Sequence, residues 1–176
     1  MPSLIAGKVR QAIAARLEDP AYGYNACVQP FAEELGAVVP QINFTGTAQF
    51  FQAYCDPELI EDGTPFTFPL ILLYSLSSDN TKPIEKFREF AGVVLMAVEV
   101  VHSWSMDSID PAAFENTADC VEAAMYQVIN AQTAGTWLPP CVLYDGYMKQ
   151  TRHPVTMGGL GLLLRQSFVM TFRQFI

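Results

Sequence analysis

Between Arg16 and Lys82 the chain has no lysine or arginine, although nine acids fall there: Glu18, Asp19, Glu33, Glu34, Asp56, Glu58, Glu61, Asp62 and Asp79. With a net charge of −8 and a pI near 4.6, this excludes a dedicated phosphate-backbone binder, whose affinity comes from clustered cations that release counterions. Also lacking is an apolar run of the roughly eighteen residues that a membrane-crossing helix needs. The best run, Ala91 to Val98, is stopped by Glu99. The first twenty residues lack the apolar core of a signal peptide and read instead as an amphipathic helix. These absences predict a soluble protein with no membrane partner.

Catalytic and metal motifs are scarce too. Cys27, Cys55, Cys120 and Cys141 stand singly with no C-x-x-C pair, which excludes a disulfide scaffold and predicts reduced thiols. His102 and His153 have no cysteine pairs at zinc spacing, and the acids from Asp56 to Asp62 lack the alternating spacing of a calcium loop. The run Met157-Gly158-Gly159-Leu160-Gly161 precedes a strand and has no following Lys-Ser/Thr, so it reads as a turn or a close approach, not a phosphate cradle. No G-x-S-x-G elbow is present, and His102 and Ser103, adjacent on a strand, must point to opposite faces. Trp104 and Trp137 each adjoin an apolar run and read as core or interface anchors. We therefore expect no catalytic residue, no metal and no cofactor. A small serine/histidine hydrolase with its triad drawn from distant residues, and a cytosolic oligomeric binding module, stand as the alternatives.

What is abundant is β-pattern. From Leu160 to Ile176 apolar and polar residues alternate, with Leu162, Leu164, Phe168, Met170 and Phe172 on one face and Arg165, Ser167, Thr171 and Arg173 on the other. Leu160 to Phe172 alone would span roughly 43 Å at about 3.3 Å per residue. A strand of that length predicts either a sheet shared with a neighbouring subunit or a hairpin arm.

Helical spacing of Ile5, Val9, Ala12, Ile13 and Leu17, opposite Lys8, Gln11 and Arg16, predicts a first helix from Ser3 to about Glu18. A shorter helix over Ala26 to Leu35, ended by Gly36, follows. Strands are predicted over Val38 to Phe44, Thr64 to Leu76 and Val93 to Trp104, with a polar turn from Ser77 to Pro83 and one helical turn within Glu85 to Phe90. Asp110 before Pro111, or Asn116 a turn later, caps a helix that runs to about Gln132 with Phe114, Ala118, Val121, Met125, Val128 and Ile129 on one face. A short strand over Val142 to Tyr147 precedes the closing strand. The result is one α+β domain, residues 1–176: a mainly antiparallel sheet with long strands, covered on one face by the N-terminal helix and a second helix near 115–132.

After Asp145 the charge reverses, with Lys149, Arg152, Arg165 and Arg173 and no acid. Such a split either supplies complementary patches between copies of the chain or is solvated surface.

The amphipathic first helix, the stretch PQINFTGTAQFFQAYCDPELIEDGTPFTFPLILLYS (Pro40 to Ser75), FAGVVLMAVEVVHSW (Phe90 to Trp104), ENTADCVEAAMYQVI (Glu115 to Ile129) and the closing strand to Arg173 come in an order that resembles the tail-terminator or neck (head-tail joining) proteins of tailed bacteriophages. The resemblance covers most of the chain and includes no catalytic signature. It implies a virion structural protein, assembled in the host cytoplasm, commonly six to a ring. Such a ring caps a finished tail tube and meets a head-side connector or stopper protein, with DNA only as cargo passing through the lumen. Candidate subunit-interface residues are Arg165 and Arg173 on one copy and Asp56, Glu58, Glu61 and Asp62 on the next.

Overall fold

The computed structural model describes residues 5–46, 48–56, 66–79, 92–104, 110–130, 137–158 and 161–174. Among these described residues three helices, α1 (Ile5–Glu18), α2 (Tyr24–Leu35) and α3 (Pro111–Asn130), accompany six strands: β1 (Phe50–Phe51), β2 (Leu70–Asp79), β3 (Val93–Trp104), β4 (Val142–Arg152), β5 (Thr156–Gly158) and β6 (Gly161–Gln174). The sheet runs β1-β2-β3-β6-β4, with β5 also on β6; every pairing is antiparallel except β1 with β2. This is the α+β architecture that the hydrophobic periods predict.

The closing strand is not a hairpin arm, and no neighbouring copy could pair with it directly over the length its own chain covers. It is a central strand, paired to β3 from Leu162 to Arg173 and to β4 and β5 on its other side. Its length is used inside the subunit, because two flanking strands satisfy its backbone groups on both edges.

Alternation decides what each face of the sheet meets. Val94, Met96, Val98 and Val100 of β3, Phe168, Met170 and Phe172 of β6 and Ile71 and Leu73 of β2 form the front face. They pack under Val9, Ile13 and Leu17 of α1 and Val121, Met125, Val128 and Ile129 of α3. Helix α2 lies chiefly against α3. The back face is partly covered as well: Leu70, Leu72, Val101 and Leu163 form a second apolar cluster under Phe51, Cys55, Phe66 and Phe68.

Local chemistry explains most boundaries. Gly36 ends α2 in the left-handed region at φ 60°, and the Ala37 amide reaches back to the Ala32 carbonyl at 2.8 Å. Asp110 caps α3, its carboxylate accepting from the Ala112 amide at 3.0 Å, so the Asp110-Pro111 start holds and Asn116 lies inside the helix. Arg16 was placed on the polar face of α1, yet it is buried and its Nε donates to the Val128 carbonyl at 2.9 Å. Carbonyls in the last turns of a helix lack partners, and a buried guanidinium supplies one.

Three strand boundaries differ from the sequence reading. Val38 to Phe44 is not a strand: the Asn25 side chain takes both main-chain groups of Ile42 at 2.8 Å, doing the work of a neighbouring strand. β2 starts at Leu70, six residues later than Thr64, beyond Pro69, which has no N–H to give a ladder, and it continues through Ser77 and Ser78 to Asp79 across a bulge. β4 continues past Tyr147 to Arg152 because another bulge, between Tyr144 and Met148, restores its register. The expected helical turn within Glu85 to Phe90 lies outside the described residues.

Gly161, opening β6 at φ 130°, is needed where it stands, since the carbonyl oxygen of Trp104 fills the place of a Cβ. Gly146, at φ 77°, faces open space. Gly161→Ala should therefore cost about 3 kcal/mol, and Gly146→Ala about 1 kcal/mol, read as a fall in urea midpoint at unchanged m-value. Equal costs would remove the crowding argument.

Candidate functional site

The polar groups of the back face converge on Glu99, in the middle of β3. Register puts Ser167 of β6 directly opposite it, with Arg165 and Tyr74 each two residues along on the neighbouring strands. Glu99 is 3 % exposed and its carboxylate is fully engaged. Arg165 grips it with Nε and Nη2 at 2.9 and 3.0 Å, while the Tyr74 hydroxyl donates at 2.7 Å and the Ser167 hydroxyl at 3.1 Å. Burial works against the charge of Arg165, but the bonds to Glu99, joined by one to Tyr54, prevail and raise its pKa. Burial and the bond to Glu99 also raise the Tyr74 phenol, and the Tyr54 ring packs edge-on against Tyr74 at 5.1 Å.

His153, just past β4, brings Nε2 to 2.7 Å from the Ser167 hydroxyl. His153, Ser167 and Glu99 thus form a hydrogen-bonded row in which serine is central. A hydrolytic triad needs imidazole between hydroxyl and carboxylate. Here the serine hydroxyl itself donates to Glu99, so the carboxylate does not orient the imidazole as a triad requires. This row ties β3, β6 and the segment after β4 together.

His102, the histidine of the hydrolase alternative, lies on the front face. It is 3 % exposed and its Nε2 has no partner among the described residues, so no described hydroxyl stands within bonding distance of that nitrogen. Burial holds its pKa down at about 4. Its ring lies 5.5 Å from that of Trp104, which packs at a tilt against Phe114 at 4.3 Å. Trp137 approaches Phe172 edge-on at 6.5 Å, so both tryptophans act as packing anchors.

A second charged cluster joins sheet to helix. Arg152, at the end of β4, bonds Glu115 at 2.8 Å, Asp119, and Glu122 at 3.1 Å. These acids, four and three residues apart, share one face of α3. Beyond it, a cleft of about 230 Å³ opens between the end of α2 and the start of α3, lined by Val38, Trp104, Asp110, Asn116 and Thr117 among others. That is smaller than the roughly 300–1,000 Å³ of small-molecule sites. No group of three or more metal-ligating side chains occurs among the described residues.

The residues singled out for a subunit contact are distributed as follows. Arg165 is committed to Glu99 of its own chain, and Arg173 of β6 holds both oxygens of Asp145 at 2.8 Å. Asp56 follows Cys55, and its charge and that of Arg165 both act on the Cys55 thiol. Glu58, Glu61 and Asp62 lie outside the described residues. Sequence reasoning passed over Glu99, Tyr74, Ser167, His153 and the Arg152 cluster. A lone acid within the apolar run of β3, and the acids at 115, 119 and 122, were the available signals.

No protein-family model matches the chain, and no curated protein matches it either.

Two predictions follow from these clusters. Glu99→Gln leaves Arg165 with a weakened partner under partial burial and should cost about 3 kcal/mol, while Glu99→Leu with Arg165→Met should recover part of that loss; equilibrium urea unfolding measures both. For His102, the folded pKa of about 4 lies below the roughly 6.5 of an unfolded chain. The unfolded state therefore takes up a proton first, and the stability that neutral His102 contributes is complete above about pH 6.5 and lost as pH falls to about 4. The difference is on the order of 3 kcal/mol. His102→Leu should flatten that part of the stability profile, and an unchanged slope would contradict the assignment.

Proposed function

We propose that this chain is a non-enzymatic structural subunit of a phage virion, a tail-terminator or neck protein whose ring caps the tail tube and joins it to the head-side connector. The observation that carries the reading is the sheet. Among the described residues it ends on β4 at one side and, beyond the two residues that β1 covers, on the second half of β2 at the other. Two unlike open edges suit heterologous, head-to-tail contacts, the kind from which rings close. The element order also agrees with the resemblance: a first helix, central strands, a long helix and a closing strand.

Charge supports the same reading. With a net charge of −8, a bore lined by part of the acidic surface would let DNA pass without the phosphate contacts that would hold it. The chemistry-bearing side chains of the back face are occupied by one another, which supports a scaffold role over a hydrolytic one. Among the described residues no helix is long and apolar enough to cross a membrane.

Negative-stain electron microscopy of the purified chain, with its mass followed across concentration, tests the proposal. Closed rings of about six copies that bind the ends of tail tubes are expected. A compact dimer, or a chain that ignores tube ends, would overturn it.

A further inference from the structure

Three hydrogen bonds set the phase of the sheet. The Gln174 amide donates to the Gly92 carbonyl at 3.0 Å, one step beyond the Val93–Arg173 pair. Even-numbered residues of β6 therefore turn their main-chain groups to β3 and odd-numbered ones to β4. The His153 amide, bonded to the Arg165 carbonyl at 2.9 Å, agrees with that phase. On β4, Lys149 and Thr151 lie opposite Val169 and Ser167 and bond inward. Met148, Gln150 and Arg152 consequently point their N–H and C=O groups away from the sheet.

The same alternation on β2 turns Ser77 and Asp79 inward, opposite Leu95 and Val93, and Ser78 outward. The Ile71 amide, outward in the first half of β2, donates to the Gln49 carbonyl at 2.8 Å, and the cover at β1 runs on to the Phe51–Leu72 pair. Beyond it no described strand pairs with the outer side of β2.

We propose that the outer edge of β4 in one copy of this chain pairs antiparallel with the outer edge of β2, from Ser77 to Asp79, in the next copy. The inference rests on the ring reading and names its contact. Strand direction permits it. β2, β3, β6 and β4 alternate, so a copy placed edge to edge sets its β2 antiparallel to the preceding β4.

Phase lets Ser78 oppose Met148, Gln150 or Arg152, and charge chooses Gln150 among them, because only that register sets Lys149 against Asp79. Gln150 and Ser78, both outward, form the hydrogen-bonded pair, so Lys149 meets Asp79 and Thr151 meets Ser77, all four side chains on the back face. Lys149 and Asp79 are exposed and have no ion-pair partner among the described residues, and their charges are opposite. Exposed apolar side chains also gather at these edges: Leu76 at the β2 bulge is 51 % exposed, and Leu143 and Tyr147 near the β4 bulge are 56 % and 68 % exposed. The two bulges keep the ladder short. Such a contact is weak singly and gains strength by repetition around a closed ring.

The test replaces Lys149 and Asp79 by cysteine in the full chain, with exposed Cys141 changed to serine. A directly opposed, non-hydrogen-bonded pair has a Cα separation within disulfide range, roughly 4.4–6.8 Å. Mild oxidation should give a reducible ladder of multimers up to the ring's copy number, whereas Lys149→Cys or Asp79→Cys alone should give dimers at most. As a second measurement, Lys149→Asp should shift assembly to higher concentration, and adding Asp79→Lys should shift it back. Rings by microscopy without the covalent ladder would overturn the edge pairing and leave the ring reading standing. A covalent ladder in open filaments would sustain the pairing and overturn the ring. Monomers throughout would overturn both, and covalent dimers alone would point to a two-fold contact and overturn the pairing.

Discussion

A carboxylate in the middle of a central strand constrains everything around it. Glu99 interrupts the apolar run of β3 with a charge that is removed from water on folding, and an unpaired buried charge would cost several kcal/mol. Arg165 from β6, Tyr74 from β2 and Ser167 from β6 meet it, so its satisfaction requires the three central strands in one register. A slip of one residue would send Glu99 to the apolar front face and Val98 or Val100 to the back. The polar cluster thus acts as a register lock, with the apolar cluster of Leu70, Leu72, Val101 and Leu163 beside it.

The front face follows a different rule. There the packing of Phe168, Met170 and Phe172 against α1 and α3 supplies the drive to fold, and the polar groups serve to position helices. Arg16 joins the end of α3 to α1, Gln166 donates to the Ala118 carbonyl at 2.9 Å, and Arg152 gathers three acids of α3 onto the end of β4. Each contact joins elements far apart in the chain. Together they set how α1 and α3 lie on the sheet, and no described strand covers the outer side of β4 or of the second half of β2.

This division of labour bears on assembly. Arg165 and Arg173, which the charge pattern marked for a neighbouring subunit, are each held by a carboxylate of their own chain. A cation already paired gains less from a second acid than an unpaired one does, because part of its Coulomb attraction is spent. Lys149, exposed on the edge strand, carries a charge of the same sign without that internal claim. The reversal of charge after Asp145 is real in the sequence, and the structure divides its members between internal and outward use.

Read alone, the sequence determined the secondary elements whose side chains repeat cleanly: α1, α3, β3 and the closing strand, whose periods of 3.6 and 2 depend only on which residues must leave water. It also determined the α+β class, since two amphipathic helices and long alternating strands bury their apolar sides best by stacking in layers. Tertiary structure alone decided that β6 is central, that Val38 to Phe44 yields its hydrogen bonds to Asn25, and that Arg16 is buried. It alone decided that Glu99, Arg165, Ser167 and His153 belong to one row. These are pairings between distant residues, and a local pattern holds no record of which strand lies beside which. Sequence shows that a charge is present, whereas strand order and register decide what it faces.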